Sequence, residues 1–316
     1  MDNLERRPPA DLRLSIYKGV KQFLLFAGVG LLIKLTVLDS LVVKGMQMAP
    51  QVRAGDRILT FGTPYLPGIS NLFVRPRRGK PVVFKTPIEG KTALLRTAAV
   101  SGDTVSVSNG LFFLGNRPMV DPSSAQNDNV LPADYSPRDF MAPYRVPAPG
   151  DSLNLTKLPL RDFFFTFSVL KQENPGTAYQ LQTSLIVDDT LSNSYFIKDF
   201  SLYKGRLDSI PEQFRRDWFF WDRLQEYLRM TMNDANPDLQ FRVLDQDGQE
   251  VNGFRVKNRY IFLLGDNWQR SLDSRYFGPV RTNAVKGRAL MTLWGFGADS
   301  NGKRKLNFSR FGRIIH

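Results

Sequence analysis

The clearest hydrophobic signal in the chain is Tyr260–Leu264, an unbroken apolar run that reads as a strand buried on both faces. It ends at Gly265-Asp266-Asn267, where Gly admits unusual φ and Asp and Asn bond their own backbone, so a turn is predicted. Ser271, Asp273, Ser274 and Arg275 follow, two opposite charges and two hydroxyls able to cross-link one loop. Gly278-Pro279 closes that loop, Val280 re-enters apolar sequence, and Ala289–Trp294 reads as another strand. Near the start, Phe23–Ile33 is wholly apolar and Leu35–Val37 extend it past Lys34. Leu41–Val43 is a short β-type run, Arg78–Phe84 a turn leading into a strand, and Leu94–Val107 strand-turn-strand around Gly102-Asp103.

The middle of the chain is patterned differently. Ser123–Pro149 is rich in Pro, Ser, Asp and Asn and reads as loop. Aromatic and β-branched runs over Thr156–Val187 predict strands. Ser209–Met232 is the clearest helix: Ser209 caps it, Glu212 completes a capping box and Pro211 suits the first turn. Phe214, Trp218, Trp221, Gln225 and Leu228 then fall on one face, which is expected to meet the core. Asp245-Gln246-Asp247-Gly248 has the composition of a hairpin turn.

Charge and composition narrow the class. The chain of 316 residues carries a net charge of +13, which suits either nucleic acid or an anionic lipid surface. No zinc-finger or RNA-binding signature occurs and the basic residues are spread out, so lipid is expected and nucleic acid is not. There is no Cys, and the only His is His316, which excludes thiolate chemistry, a His-based triad and a multi-His metal site. The basic residues Arg6, Arg7, Arg13, Lys18 and Lys21 precede the first apolar run. They predict a cytoplasmic tail at 1–22, a membrane anchor at 23–38 with Lys34 snorkelling, and an extracytoplasmic remainder. Leu38-Asp39-Ser40 makes a poor cleavage site, so the anchor is expected to stay.

Gly265-Asp266-Asn267, Ser271, Asp273-Ser274-Arg275, Gly278, Val280 and Gly287 place ten positions over 23 residues at the spacing of the last signature box of type I signal peptidases. The chain resembles that family, membrane-anchored serine proteases that remove signal peptides on the outer face of the membrane. The first box resembles it too, through Val43, Gly45, Met48, Pro50 and Gly55-Asp56. So does the base box, through Arg96, Gly102 and Asp103. The resemblance implies a mostly β, signal-peptidase-like domain on one N-terminal transmembrane helix. The β core is expected at 39–120 and 255–300, an α+β insertion at 121–254 and a basic tail at 301–316.

Where the family has its nucleophilic serine this chain has Gln47, and where it has its general-base lysine this chain has Leu95. A carboxamide offers no ionisable hydroxyl, and leucine accepts no proton. Ser40 lies seven residues from Gln47, and Lys91 lies about 13 Å along a strand from Leu95, so neither restores the pair. Ala99 and Ser101 also replace a Gly and a Pro that the family's box carries.

The resemblance gives Ser271 the role of bonding the base, Asp273 and Arg275 that of bracing the site, and Met48 and Leu94 the flanks of a pocket for small side chains. With the dyad absent, loop bracing is the simpler role for Asp273 and Arg275. The expected function is a catalytically impaired signal-peptidase homologue in the bacterial inner membrane, its main domain periplasmic. It would bind signal peptides or membrane-protein segments beside anionic lipid, with an active signal peptidase as a further partner. The alternative is an active signal peptidase using another nucleophile. No cofactor or metal is implied.

Overall fold

The computed structural model describes residues 10–36, 38–62, 74–87, 90–119, 137–232, 235–298 and 304–316. The fold is mostly β, with 36% of residues in strands against 24% in helices. Among the described residues, nineteen strands are distributed over one large and four smaller sheets. The first four are β1 (Leu38–Val42), β2 (Arg57–Gly62), β3 (Pro81–Lys85) and β4 (Thr92–Val100). Next come β5 (Thr104–Ser108), β6 (Leu111–Leu114), β7 (Arg117–Pro118), β8 (Met141–Arg145), β9 (Ser152–Asn154) and β10 (Gln180–Val187). The short β11 (Thr190–Leu191), β12 (Phe196–Ile197) and β13 (Gly205–Arg206) precede β14 (Pro237–Leu244) and β15 (Gly253–Arg255). The last four are β16 (Tyr260–Leu264), β17 (Val280–Arg281), β18 (Val285–Ala298) and β19 (Arg304–Asn307).

The large sheet runs β1-β2-β18-β3-β4-β16-β17, with β19 paired to β18. β16 is buried at all five positions because both of its faces carry layers: Ile261 and Leu263 join one apolar cluster, while Tyr260, Phe262 and Leu264 join the other. The first cluster includes Val43, Met48, Leu94 and Leu95. The second, larger cluster holds the aromatic residues of the chain's middle third. Where β2 and β18 cross, Gly62 pairs with Gly287, and a Cβ on Gly287 would lie 2.8 Å from the Phe61 carbonyl oxygen. Only glycine allows the backbones to approach so closely there.

Several expectations are corrected. The predicted strands within Thr156–Val187 are replaced over Leu160–Glu173 by a helix. Phe163, Phe164, Phe165 and Phe167 are all buried, so aromatic residues chosen to fill a core carry no helical period to read. The Ser209–Met232 helix is broken into Glu212–Arg215 and Trp218–Thr231. The expected capping box does not form, since the Ser209 hydroxyl bonds Asp208 and Pro211 precedes the short helix without a side-chain cap. Asp217 caps the second helix instead, accepting from the Phe219 amide at 3.0 Å. Within the expected loop Ser123–Pro149, residues 120–136 lie outside the described residues, and Met141–Arg145 forms β8. β8 pairs with β5, so one sheet spans the expected boundary at residue 120. The Asp245–Gly248 turn forms as expected, with Gly248 at φ +77° and its amide on the Asp245 carbonyl.

The two ends also differ. The N-terminal helix covers Ala10–Thr36 rather than 23–38, and Leu38 already belongs to β1. Among the described residues no helix is long and apolar enough to cross a membrane; the side chains of residues 32–37, at the end of the expected anchor, lie outside them. Phe23, Leu24, Leu25 and Phe26 are each more than 60% exposed. The basic tail folds back on the sheet from residue 304 onward. β19 pairs with β18, the Ile315 amide bonds the Leu290 carbonyl, and the Ile315 side chain is buried.

Candidate functional site

The site is assembled from two loops and one strand of the large sheet. The first, Lys44–Asp56, joins β1 to β2 and is closed at its base by bonds between Val43 and both Gly55 and Asp56. The second, Gly265–Gly278, follows β16. They meet where the Asn267 amide donates to the Gln47 carbonyl at 3.0 Å. A Cβ on Gly265 would lie 2.3 Å from Ser271 Oγ and 2.5 Å from the Gln47 carbonyl oxygen. Glycine is therefore required there by contact between the two loops.

Arg96 ties the third element, β4, to both. Its Nε and Nη2 donate to the two Asp266 carboxylate oxygens at 2.6 and 2.7 Å. Nη2 also reaches Gln51 Oε1 at 2.6 Å, and Nη1 donates to the Gly79 carbonyl at 2.6 Å and to the His316 carbonyl. The planar guanidinium suits this task because its donors leave in fixed directions. Nearby, Arg310 Nη1 meets Asp56 at 2.7 Å, so the tail helps hold the Gln47 loop. That contact was not legible in sequence, since residues 254 apart carry no spacing signal.

Asp273 and Arg275 form a buried, two-pronged ion pair. Nε and Nη2 donate to the two carboxylate oxygens at 2.9 Å each, with side-chain exposures of 2% and 0%. Asp273 also accepts from the Gly265 and Arg275 amides, both at 3.2 Å, while Arg275 donates to the Trp268 carbonyl at 2.7 Å. Burial alone would lower the Arg275 pKa, but the Asp273 charge outweighs it and holds it above the ordinary value. Ser274 Oγ accepts from the Leu263 amide at 2.9 Å, pinning the loop to β16.

Gln47, Met48 and Leu94 line a cavity of about 430 Å³ together with Val43, Lys91 and Leu272. Its walls are strand edges. β1 pairs only with β2, and the β4–β16 ladder begins at Arg96, leaving Thr92–Leu95 with β3 as their one strand neighbour among the described residues. Gln47 is half-buried and Met48 is 1% exposed. Leu95 does not reach the cavity; it is fully buried in the apolar cluster shared with Met48, Leu94 and Leu263. Ser271 Oγ is buried and finds no hydrogen-bond partner among the described residues.

The turn after β4, where Ser101 stands, is held by local bonds. Ser101 Oγ accepts from the Tyr260 amide at 2.7 Å and donates to its carbonyl at 3.1 Å. Asp103 is engaged by Arg78 through two bonds of 2.5 and 2.7 Å. Burial would raise the Asp103 pKa, but the Arg78 guanidinium and the Val100 amide outweigh it and hold the carboxyl below its usual range.

Fold and site together define a β-sheet domain with a peptide-sized groove between two strand edges and a salt-bridged loop at its end. Residues 16–166 and 209–294 match the model of the family described as signal peptidase, peptidase S26, well over half the chain, and the chain belongs to that family. It is 24% identical over 218 residues to Signal peptidase I of Helicobacter pylori (strain ATCC 700392 / 26695), covering 67% of this chain and 53% of that protein. A mouse protein, mitochondrial inner membrane protease subunit 1, is 42% identical over 55 residues, 16% of this chain and 33% of that one. The chain thus spans about half the length, or less, of these relatives. A signal peptidase I from Enterococcus faecalis V583, known from its crystal structure, shares 15% identity over 68% of this chain and 97% of that one, with a TM-score of 0.26. At that score the likeness carries no weight.

Proposed function

We propose that this signal-peptidase-family chain binds extended peptide segments without cleaving them, as a catalytically impaired homologue anchored in the membrane. The observation that carries the reading is the condition of the site. Gln47 stands at the family's nucleophile position, and Leu95, at the base position, is sealed in the core. The Ser271 hydroxyl, placed by the family pattern to bond a lysine amine, is buried without a hydrogen-bond partner among the described residues. In serine proteases nucleophile and base act as a unit; loss of either leaves roughly 10³–10⁴ over water.

Peptide binding rests on the groove. A strand entering between β1 and Thr92–Leu94 would run along two strand edges that pair with no second strand among the described residues, the mode of β-augmentation. Met48 and Leu94 supply the apolar floor, and Lys44 and Lys91 its cationic rim. Signal peptides and membrane-protein segments are the substrates the family suggests. Anchoring rests on the Ala10–Thr36 helix, whose described side chains from residue 15 to 31 are exposed and apolar in the Phe23–Leu31 stretch. The basic residues before it put the large domain outside the cytoplasm.

Two experiments test this. A fluorescent signal peptide titrated into the full chain is expected to bind, and Leu272→Arg, at an exposed residue lining the groove, to abolish binding without unfolding the domain. Equal binding by that variant would remove the groove from the account. Reporter fusions after residue 100 are expected to be active only with an extracytoplasmic enzyme; a cytoplasmic signal overturns the anchor.

A further inference from the structure

A second cavity, of about 230 Å³, lies across the Phe277 ring from the groove: Phe277 lines both. Its other walls include Phe167, Lys171, Arg216, Trp218 and Tyr276, so it is built largely by the helices of the chain's middle third. Its polar groups point to one kind of ligand. Trp218 is 8% exposed, yet its indole Nε1 is a buried donor with no acceptor among the described residues. An indole N–H can only donate, and leaving it unmet is costly. Lys171 is half-buried, its ammonium 5.3 Å from the Phe167 ring centre. Burial, and after it the Arg216 charge, hold its pKa below the ordinary lysine value. Arg216 is already engaged by Glu212 at 2.8 Å on the exposed side. Among the described residues no carboxylate lines the cavity itself.

We propose that this cavity binds a carboxylate carried on an aromatic or aliphatic group, the ring or chain against Phe167, Trp218 and Tyr276 and the anion on Lys171 and the Trp218 indole N–H. A buried indole N–H with no acceptor among the described residues, beside a half-buried ammonium, calls for an acceptor-only group, and a charge-assisted bond from an ammonium is the stronger kind. The aromatic walls require an apolar body, and the volume limits it to about one residue. A hydrated dianion such as phosphate suits these walls poorly. The same chemistry comes from a free arylalkanoic acid or from a peptide's C-terminal residue.

The test uses the full chain, purified in detergent, with 3-phenylpropanoate and its neutral amide as one pair of probes. A peptide ending in phenylalanine, with a free or an amidated C-terminus, is the other pair. Calorimetry reads affinity, and the ¹H–¹⁵N spectrum reads the four tryptophan indole signals, Trp218 being assigned by its loss in Trp218→Phe. In at least one pair the acid is expected to bind about tenfold or more tightly than the amide. The Trp218 indole signal should shift, and Lys171→Met should erase the acid–amide difference. Preference for the peptide acid identifies a chain terminus as the source; preference for the small acid identifies a free metabolite. Trp218→Phe, which keeps the ring, should weaken the acid alone. Equal affinity for acid and amide in both pairs, no binding by either acid, or an unmoved Trp218 signal overturns the proposal.

Discussion

Removing the Asp273 carboxylate is the sharpest perturbation of the site's scaffold. Asp273→Ala deletes two guanidinium bonds of 2.9 Å and two amide contacts of 3.2 Å, and leaves the Arg275 guanidinium, 2% exposed, with the Trp268 and Arg138 carbonyls as its remaining partners. Breaking one side of a buried pair costs about 3–5 kcal/mol, mostly the uncompensated charge. For a chain of this size, at about 2.1 cal/mol/K of unfolding entropy per residue, that lowers the melting temperature by roughly 5–8 °C. Removing both charges in Asp273→Leu/Arg275→Met should cost less than the sum of the single changes, since an apolar replacement leaves no orphaned ion. The Arg275 pKa is raised, so its contribution persists at every pH below the ordinary arginine value and is lost only as pH climbs through the folded value. The deficit in Asp273→Ala should therefore be flat across about pH 6 to 9. Thermal unfolding followed by near-ultraviolet circular dichroism measures all three. A single-variant loss under about 0.5 kcal/mol, or full additivity in the double variant, would refute the buried brace.

Other expectations follow from the same contacts. Gly265→Ala forces a Cβ to within 2.3 Å of Ser271 Oγ, so it should destabilise the domain, and adding Ser271→Ala should recover part of the loss in the same melt. Ser271→Ala alone removes a buried hydroxyl with no hydrogen-bond partner among the described residues and should leave stability unchanged or raise it by up to ~1 kcal/mol. Leu95→Lys buries an amine in an apolar cluster and should cost several kcal/mol, measured by urea midpoint. Burial raises the Asp217 pKa against the opposing pull of the Phe219 and Phe220 amides, so its contribution is full below the unfolded value of 3.8 and fades as pH rises through the folded one. Asp217→Asn keeps a capping oxygen and should flatten that slope between acid and neutral pH.

How far the sequence disclosed this molecule depended on whether short-range rules were decisive. Tyr260–Leu264 was legible because five consecutive apolar residues before a Gly-Asp-Asn turn have few alternatives, and the Asp245–Gly248 turn because Asp and Gly serve it directly. The Leu160–Glu173 helix was not, since a helix buried along most of its faces loses its polar stripe. The break at Asp217 was hidden because Ser209, Pro211 and Glu212 present a plausible start, and only the competing carboxylate decides where the main helix begins. Arg310 on Asp56 and the Trp218–Lys171 cavity are brought together by tertiary structure, which no local pattern encodes.

The central claim is that the site binds without cutting, and peptide cleavage tests it most directly. A substrate with a small-x-small site, incubated with the natural protein and with a Gln47→Ala/Leu95→Ala control, should remain intact in both. Gln47→Ser alone should stay inactive, because a serine beside Leu95 has no base to take its proton, and only Gln47→Ser/Leu95→Lys restores both groups. Cleavage by the natural protein that disappears in the Gln47→Ala/Leu95→Ala variant would contradict the account.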